Sequence, residues 1–525
     1  MRTPFERATT VEALLNSLAQ LKARLLEIDD LRHATDVLRW DQTTYMPPGG
    51  AAARGRQIAT LTRLSHERFT DAEIGRLLDA AARETEALPY DSDEASLVRV
   101  TRREWELSVK IPTPLVAEMN EHNARSYQAW TTARPANDFN TVRPLLERTL
   151  ELSRRMANCF PGYDHVADPL IDFSDYGMKA ATVRSLFSTL RAGLVPIVRA
   201  ITSRPEIDDS SLKRRTPEAE QIAFGLGVIR RFGYDFDRGR QDKTHHPFMT
   251  KFSLGDVRIT TRIREDDLSD GLFATLHECG HALYEQGIDM GLEGTPLASG
   301  TSSGVHESQS RLWENLVGRS AGFWEFFYPE IQRSFPRQLG DVSRETFYAA
   351  INKVARSLIR VDADEVTYNL HVMLRFELEL DMLEGKLAIK DLARVWRERF
   401  EADFGVPVPD DKNGCLQDVH WFAGPIGGVF QGYTIGNVLS AQLFKAGLRA
   451  NPGIPDEIRR GEFGTLRAWL RENVYRHGSK FTADEIVQRA TGGALTTGPY
   501  LDYLWGKYQP LYGLRSEERQ PVSVG

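Results

Sequence analysis

The chain has 525 residues, of which 41% are hydrophobic and 26% are charged, so it can bury a large core and is neither a disordered nor a collagen-like protein. Its 66 basic and 73 acidic side chains give a net charge of −7, a balance that argues against a nucleic-acid-binding protein. The three cysteines are too few for a disulfide scaffold and favour a reducing compartment.

The first predicted element is an amphipathic helix near the amino terminus. Thr9 and Glu12 form a capping-box pattern, which predicts the start of the helix. Apolar residues then recur at steps of three and four, at Leu14, Leu18, Leu21, Leu25 and Ile28. We expect this helix to pack within its own domain; the alternative is a helical hairpin or a dimer contact.

Helical periodicity continues through most of the chain. It is clearest in residues 182–192, 345–358 and 364–387, and short segments rich in proline and glycine separate the helices. We find no internal repeat, no low-complexity tract and no long linker. Length alone would allow about three to four domains, but we predict a single helical domain over residues 1–525, because a large helical protein can share one continuous core.

One segment has the alternation that is typical of a β-strand. From residue 256 to residue 263, every second side chain from Val257 to Ile263 lies on one face and charged side chains dominate the other. A turn at residues 254–256 would pair this strand with residues 247–253 in a hairpin. The pattern therefore predicts a small β-sheet directly before the next helix.

The next predicted helix carries the sequence His-Glu-Cys-Gly-His at residues 277–281. Ser269 or Asp270 is placed to cap the amino-terminal end of this helix, and Gly287 is placed to end it. A helical context matters here, because in a helix the first and last residues of the motif lie on one face, a single turn apart.

The two histidines of this motif predict a metal site. His277 and His281 are one helical turn apart, so both imidazoles can reach a single Zn²⁺ ion. Glu278 points about 100° away from His277 around the helix. It therefore flanks the metal, where it can act as the general base of a metallopeptidase.

A catalytic zinc ion usually takes three protein ligands and keeps one position for water. The best candidate for the third ligand is Glu307, which lies in a second helix that Ser302 or Ser303 can cap. It follows His281 by 26 positions, which leaves room for a loop and an antiparallel return. His306 is the rival ligand, and the spacing alone leaves both residues open.

The stretch from Trp421 to Phe444 has no charged side chain and is long enough to cross a bilayer. It also contains Gln431, Asn437 and Gln442 together with five glycines, a composition that does not suit contact with lipid. We therefore predict a buried, polar-lined segment and no membrane partner.

Motifs along most of the chain resemble the carboxypeptidase Taq family of metallopeptidases. The resemblance rests on residues 40–42 (WDQ), 246–248 (HPF), 256–260 (DVRIT), 277–281 (HECGH), 306–315 (HESQSRLWEN), 359–364 (IRVDAD) and 414–421 (GCLQDVHW). It implies a mainly α-helical metallopeptidase whose two lobes flank a deep central groove, with a small β-sheet beside the metal helix. It also implies a cytoplasmic homodimer that uses Zn²⁺ or Co²⁺ and removes single residues from peptide carboxyl termini with broad preference. The position of Glu307 corresponds to the family's third metal ligand.

A carboxypeptidase must recognise the free carboxylate of its peptide substrate, and arginine suits this task because its planar guanidinium pairs with both carboxylate oxygens. Arg360 is the first candidate, carried over from the family's I-R motif, and Arg258 is the second. Arg360 has an alternative role in a salt bridge with Asp362 or Asp364. We also expect Asp256 and Arg258 to pair with each other and to shape the end of the groove.

The tetrahedral intermediate of peptide hydrolysis needs a hydrogen-bond donor besides the metal. His420 and Tyr433 are the candidates, and His246 is a candidate for contact with the substrate backbone or carboxylate. For each of these residues, a packed or hydrogen-bonded role in the core is the alternative.

Two other functions compete with carboxypeptidase activity. The first is an oligopeptide endopeptidase of similar helical build. The second is an interaction protein in which zinc is purely structural. A structural zinc ion has a fourth protein ligand in place of water. Cys279 faces away from the two histidines, so the motif offers no local fourth ligand.

Overall fold

The computed structural model of the chain describes residues 16–519. Within these residues, 22 α-helices and one three-stranded β-sheet are joined by short turns. The prediction of a mainly α-helical fold with a small sheet before the metal-motif helix is therefore confirmed.

Of the described helices, nine precede the sheet. Their bounds are α1 Ser17–Thr44, α2 Ala51–Phe69, α3 Ala72–Thr85, α4 Asp93–Lys110, α5 Thr113–Ala136, α6 Phe139–Ala157, α7 Asp168–Asp172, α8 Ala180–Thr202 and α9 Glu218–Phe232. The sheet follows with β1 Gln241–Lys243, β2 Met249–Ser253 and β3 Asp256–Thr261.

The other thirteen described helices follow the sheet. Their bounds are α10 Leu268–Gly287, α11 Ser303–Arg311, α12 Ala321–Ser334, α13 Pro336–Leu339, α14 Arg344–Ile351, α15 Tyr368–Leu383, α16 Leu392–Phe404, α17 His420–Ala423, α18 Phe430–Ala450, α19 Ile454–Arg459, α20 Gly464–Asn473, α21 Ala483–Thr491 and α22 Gly498–Tyr512. A π-helical turn, Leu312–Val317, continues α11.

The predicted first helix is present as α1. Its expected start at Thr9 and Glu12, together with Leu14, lies outside the described residues. Leu21, Leu25 and Ile28 are buried in α1, which packs against α2 and α3. The apolar seam is therefore buried within the chain itself, as we expect from its pattern.

Three helix boundaries differ from the sequence predictions. Residues 182–192 lie within α8 as expected, but α14 ends at Ile351, and α15 begins only at Tyr368 and ends at Leu383. The carboxylate of Asp364 accepts hydrogen bonds from the backbone N–H groups of Ala355, Val366 and Thr367 at 2.9–3.0 Å. Because a side chain satisfies these groups, residues 352–367 form a loop instead of the predicted helix ends.

The β-sheet has the strand order β1-β3-β2. Strands β2 and β3 form the predicted antiparallel hairpin, with Met249 opposite Ile259. Strand β1 pairs parallel to β3 and was not predicted, since its three residues carry no apolar side chain. Val257 and Ile259 face the core, and the Thr275 hydroxyl of α10 donates to the Thr261 hydroxyl at 3.0 Å, so the sheet packs against the metal-motif helix.

Buried apolar side chains form three clusters. The first involves helices α5–α8, α15–α17 and α22, the second α9–α14, the sheet and α19–α21, and the third α1–α4. Helix α18 contributes Ile435 and Val438 to the first cluster and Leu439 and Leu443 to the second. It is therefore a wall shared by both large clusters; the predicted division of one domain into two lobes stays a prediction.

Helix α11 packs unusually close to α10 on one side and to α18 on the other, because glycines lie at both contacts. A Cβ atom on Gly280 of α10 would lie 2.6 Å from the carbonyl oxygen of Gln309 in α11. A Cβ atom on Gly436 of α18 would lie 2.6 Å from the Cβ of Glu307. These distances are far shorter than ordinary van der Waals contact, so α11 takes its present position only beside glycine.

No helix in residues 16–519 is both long enough and apolar enough to span a membrane. The charge-free stretch instead forms α17 and the first part of α18, where the side chains of Gln431, Thr434 and Asn437 are buried. The predicted buried, polar-lined segment is therefore confirmed.

The glycine contacts lead to a first prediction. We expect Gly436→Ala to lower the apparent melting temperature at a fixed scan rate, because overpacking of this kind costs about 1–3 kcal/mol. Gly506→Ala is the matched control: Gly506 lies within helix α22, and nothing approaches within 4 Å of its would-be Cβ. That variant should be neutral or more stable by about 0.4–1 kcal/mol. Equal melting temperatures for the two variants would contradict the close-packing argument.

Candidate metal centre and active site

Helix α10 presents the two histidines of the metal motif. Its amino-terminal cap is Asp267, whose side chain accepts a hydrogen bond from the backbone N–H of Ser269. The predicted caps, Ser269 and Asp270, are therefore wrong by two or three residues. The helix ends at Gly287 as predicted, and one turn separates His277 from His281 within it.

The side chains of His277, His281 and Glu307 converge. Each offers one ligand atom, and these atoms lie within 4.8 Å of one another. The Glu307 Oε2 atom is 3.7 Å from His277 Nε2 and 3.5 Å from His281 Nε2. Two imidazole nitrogens and one carboxylate oxygen are a donor set that suits a divalent cation such as zinc. We call these three residues the metal triad.

The start of α11 determines where Glu307 lies. Ser302 is the helix cap, one of the two predicted, and its backbone has a φ of 42°, a left-handed value that is rare outside glycine. The Asp175 carboxylate accepts a hydrogen bond from the Gly304 N–H at 2.7 Å, and the Ser174 carbonyl accepts one from the Ser303 N–H at 2.8 Å. The first turn of α11 is thus fixed by the loop between α7 and α8.

Glu307 is held by a buried arginine. Arg311 Nε donates to Glu307 Oε1 at 2.7 Å, which leaves Oε2 facing the two histidines. Arg311 also donates to the carboxylate of Glu314 at 3.1 Å, and that carboxylate lies 2.9 Å from His277 Nδ1. Although burial opposes ionisation, Arg311 and His277 together bring the pKa of Glu307 well below its usual range.

His306 lies beside the triad but has both ring nitrogens occupied. Its Nδ1 is 2.6 Å from His281 Nδ1, and its Nε2 is 2.8 Å from Glu285 Oε1. Because neither nitrogen is free, the geometry favours Glu307 over His306 as the third ligand.

Glu278 differs from its charged neighbours because its carboxylate has no partner. Its exposed fraction is 7%, and it makes no hydrogen bond or ion pair with any residue from 16 to 519. Burial raises the pKa of Glu278 to about 7, against the opposing effect of His277. A carboxylate in this position is free to exchange a proton with a water molecule beside the triad.

A second polar cluster surrounds Asp418. Arg360 Nε donates to Asp418 Oδ2 at 2.6 Å, and Arg360 Nη1 donates to the Tyr368 hydroxyl at 3.0 Å. Asp418 Oδ1 pairs with His420 Nδ1, while His420 Nε2 is 3.3 Å from the Tyr433 hydroxyl. The alternative partners of Arg360, Asp362 and Asp364, are therefore wrong, and Asp418 is its partner.

The charges of this cluster do not balance. Arg375, whose exposed fraction is 0%, also donates to Asp418 Oδ2, at 3.0 Å, so one carboxylate serves two buried guanidinium groups. The surplus is positive, and Arg360 retains N–H groups beyond those that bind Asp418 and Tyr368. A site of this kind is complementary to an additional carboxylate. We call Arg360, Arg375, Asp418, His420 and Tyr433 the Arg360 cluster.

The cluster lies close to both the metal triad and His246. The guanidinium of Arg311, which holds Glu307, lies 4.7 Å from the ring centre of Tyr368, whose hydroxyl accepts a hydrogen bond from Arg360. His246 is exposed at the surface. The pKa of its imidazole is nevertheless lowered, first by partial desolvation and then by the charges on Arg262, Arg360 and His420.

Asp256 and Arg258 pair as expected but lie in a different environment. Arg258 donates two hydrogen bonds to Asp256, at 2.8 and 2.7 Å, and its guanidinium lies 4.5 Å from the ring centre of Trp40 and 4.8 Å from that of Phe252. These contacts tie the sheet to α1. Among the described residues they include no member of the Arg360 cluster.

Several residues of the site were not predicted from the sequence. Each of them contacts a predicted site residue directly or through one other side chain. They are Glu285, Arg311, Glu314, Arg375 and Asp418. One signal was available: Arg311 follows Glu307 by four positions in a helix, which places the two side chains on one face. The partners that come from distant segments carry no such signal.

Comparisons with known proteins agree with this geometry. The family model described as Carboxypeptidase Taq (M32) metallopeptidase matches residues 20–508. Thermostable carboxypeptidase 1 of Thermus thermophilus is 43% identical over 489 residues, which are 90% of this chain and 94% of that protein. Carboxypeptidase 1 of Bacillus subtilis is 35% identical over 489 residues, 93% of this chain and 97% of that protein. A solved structure of an M32 carboxypeptidase from Deinococcus radiodurans R1 has a TM-score of 0.93 at 52% identity, covering 95% of this chain and 100% of that one.

The triad geometry predicts how metal content responds to substitution. Glu307→Ala removes the only carboxylate of the triad, so bound metal per chain should fall well below that of the wild type after dialysis, as measured by plasma mass spectrometry. Glu377→Ala is the matched control, because the Glu377 carboxylate pairs with Arg191 at 2.8 Å and not with the triad. A Glu307→Ala protein that keeps its full metal content would show that another group is the third ligand.

Proposed function

We propose a mechanism on one premise: the chain belongs to the carboxypeptidase Taq (M32) family of metallopeptidases and is a metal-dependent carboxypeptidase, a peptide hydrolase. The observation that carries the mechanism is the unpartnered carboxylate of Glu278 beside three convergent ligand side chains. Water-promoted hydrolysis of the last peptide bond is the reaction that this arrangement supports best.

His277, His281 and Glu307 are the proposed metal ligands, and zinc is the proposed ion, with cobalt as the alternative. The donor set fits, because two imidazole nitrogens and one carboxylate are the protein ligands that a catalytic zinc ion would take in a peptidase. When bound, the ion supplies Lewis acidity, which acidifies a water molecule and polarises the scissile carbonyl. His277 presents Nε2 to this site because its Nδ1 is directed at Glu314.

Glu278 is the proposed general base and then the general acid. It takes a proton from the attacking water and passes that proton to the leaving amine. Its buried position excludes competing solvent, and the lack of a partner keeps both oxygens available.

Arg360 is the proposed binding group for the carboxylate of the substrate. The carboxylate of Asp418 orients the Arg360 guanidinium through Nε. Arg375, which also donates to Asp418, supplies a second positive charge. A buried surplus of positive charge selects a peptide that ends in a free carboxylate, which explains cleavage at the terminus instead of within the chain.

Tyr433 is the proposed donor to the oxygen anion of the tetrahedral intermediate, in preference to His420. In a neutral His420 ring, the nitrogen directed at the carboxylate of Asp418, Nδ1, carries the proton. His420 Nε2 then has no proton to give to the anion, whereas the Tyr433 hydroxyl, 3.3 Å away, has one and can turn it from Nε2 to the anion. His420 orients the hydroxyl, and His246 is a further proposed contact for substrate.

The wider proposal follows from the family resemblance. We propose that the enzyme releases single amino acids with broad preference and acts as a cytoplasmic homodimer with two lobes around a groove. The three free cysteines, two of them buried, are consistent with a reducing compartment. We do not propose a role for Asp256 and Arg258 in substrate binding ahead of Arg360, since Asp256 balances the charge of Arg258, whereas Arg360 shares one carboxylate with Arg375.

The two competing functions lose support. The curated relatives are named carboxypeptidases, which disfavours an endopeptidase. Within residues 16–519, the candidate metal cluster has three ligands and no fourth, which disfavours a purely structural zinc site.

The role of Glu278 predicts a separation of metal binding from catalysis. Glu278→Gln should keep its metal but lose about 10²- to 10⁴-fold in kcat, because the amide cannot accept the proton. Glu278→Asp, which keeps the acid but shortens the side chain, should retain more activity than Glu278→Gln. Steady-state kinetics and metal analysis on the same samples decide the matter; activity above about a tenth of wild type in Glu278→Gln would rule out this base.

The role of Arg360 predicts a loss that depends on the substrate's terminus. Arg360→Met should lower kcat/KM by about 30- to 1,000-fold on peptides with a free carboxylate and change little on amidated peptides. Arg375 and His420 still pair with Asp418 in this variant, which should preserve the fold.

Arg258→Met is the matched control, since it removes an arginine that is already paired with a carboxylate on the sheet. Any decrease in kcat/KM for Arg258→Met should be the same on peptides with a free and with an amidated carboxyl terminus. Should Arg258→Met instead give the selective loss and Arg360→Met an equal loss on both substrates, Arg258 would be the carboxylate-binding residue.

A further inference from the structure

A line of polar side chains runs from strand β2 to the metal triad. Lys251 Nζ donates to Glu285 Oε2 at 2.9 Å, and Glu285 Oε1 lies 2.8 Å from His306 Nε2. His306 Nδ1 lies 2.6 Å from His281 Nδ1, and His281 Nε2 faces Glu307 at 3.5 Å. We call these four residues the Lys251–His281 relay.

The chemistry of its first two members, Lys251 and Glu285, determines the direction of every hydrogen bond in the relay. A lysine ammonium only donates and a carboxylate only accepts, so His306 Nε2 must donate to Glu285. The other nitrogen of a neutral His306 ring is then an acceptor, and His281 Nδ1 must supply the proton between the two rings. His281 Nε2 is left with a lone pair that points at the metal position.

The surrounding structure packs around the relay and shields most of it from solvent. The side chains of Glu285 and Lys251 are 3% and 11% exposed, and those of His281 and His306 are 16% and 19% exposed. The Gly300 N–H donates to Glu285 Oε1 at 2.9 Å. A Cβ atom on Gly300 would lie 2.7 Å from the His306 ring and 2.8 Å from the Tyr284 ring, and the two ring centres are 5.1 Å apart. Because the groups are desolvated and packed, a reversed orientation would leave buried donors facing each other.

We propose that Lys251, Glu285 and His306 are positioning residues that set which nitrogen of His281 is available to the metal. His277 receives the equivalent support from a single carboxylate, Glu314, at 2.9 Å. The relay inserts a second imidazole between the ligand and its carboxylate, and it makes strand β2 part of the metal site. This inference rests on the proposed metal triad.

Zinc affinity of the metal-free protein, measured by competition with a chromogenic chelator, tests the relay without using activity. His306→Leu removes the acceptor for His281 Nδ1, so the dissociation constant for zinc should rise by about 10- to 100-fold. His306→Asn keeps an acceptor oxygen near the position of Nδ1 and should lose less. His66→Leu, in helix α2, is the matched control and should bind zinc as tightly as the wild type.

A double-substitution cycle separates a relay from a general loosening of the fold. Lys251→Met should weaken zinc binding several-fold in the wild-type background but add little in the His306→Leu background, because its effect passes through His306. Independent, additive effects of the two substitutions would overturn the proposal, as would an unchanged affinity in His306→Leu. Circular dichroism of the metal-free variants confirms that each one is folded.

His281→Ala distinguishes a failure of the relay from a failure of the metal triad. If His281→Ala binds zinc like the wild type, the triad itself is wrong. If His281→Ala loses zinc while His306→Leu retains it, the triad stands and the relay alone is overturned.

Discussion

The site depends on the close approach of helix α11 to α10 and α18. Glycine at positions 280 and 436 removes the Cβ atoms that would otherwise lie 2.6 Å from atoms of α11. That approach brings Glu307, from a separate helix, within 3.7 Å of two imidazole nitrogens on α10. Since helix axes normally lie about 8–10 Å apart, depending on the side chains between them, the contact distance is itself part of the metal site.

The second constraint on the structure is that charged side chains buried near the site need hydrogen-bonded partners of opposite charge. Arg311 is hydrogen-bonded to Glu307 and Glu314 beside the triad, and Asp418 is hydrogen-bonded to two arginines. Buried ions are stable only when such partners satisfy their hydrogen bonds. Glu278 is the exception, since it is buried without a partner, and the exception falls where the proposed chemistry needs a reactive group.

The sequence predicts those features that depend on local spacing. The four-residue step between His277 and His281, the alternation in β3 and the capping serine before Glu307 are all visible without a structure, and all are present. Contacts between distant segments are not predictable in this way. Arg360 and Asp418 are 58 positions apart, and nothing in their local sequences indicates that they pair. For the same reason the nearby aspartates, Asp362 and Asp364, were the wrong expectation.

The surplus positive charge of the Arg360 cluster has a consequence for turnover. The amino acid released in each cycle carries the same terminal carboxylate as the peptide that is bound next, so product and substrate compete for one guanidinium. Small anions in the medium compete for it as well, because a partly buried surplus of charge attracts a counter-ion when no peptide is present. On the proposed role of Arg360, the enzyme is therefore inhibited by its own product, and apparent substrate affinity falls as ionic strength rises.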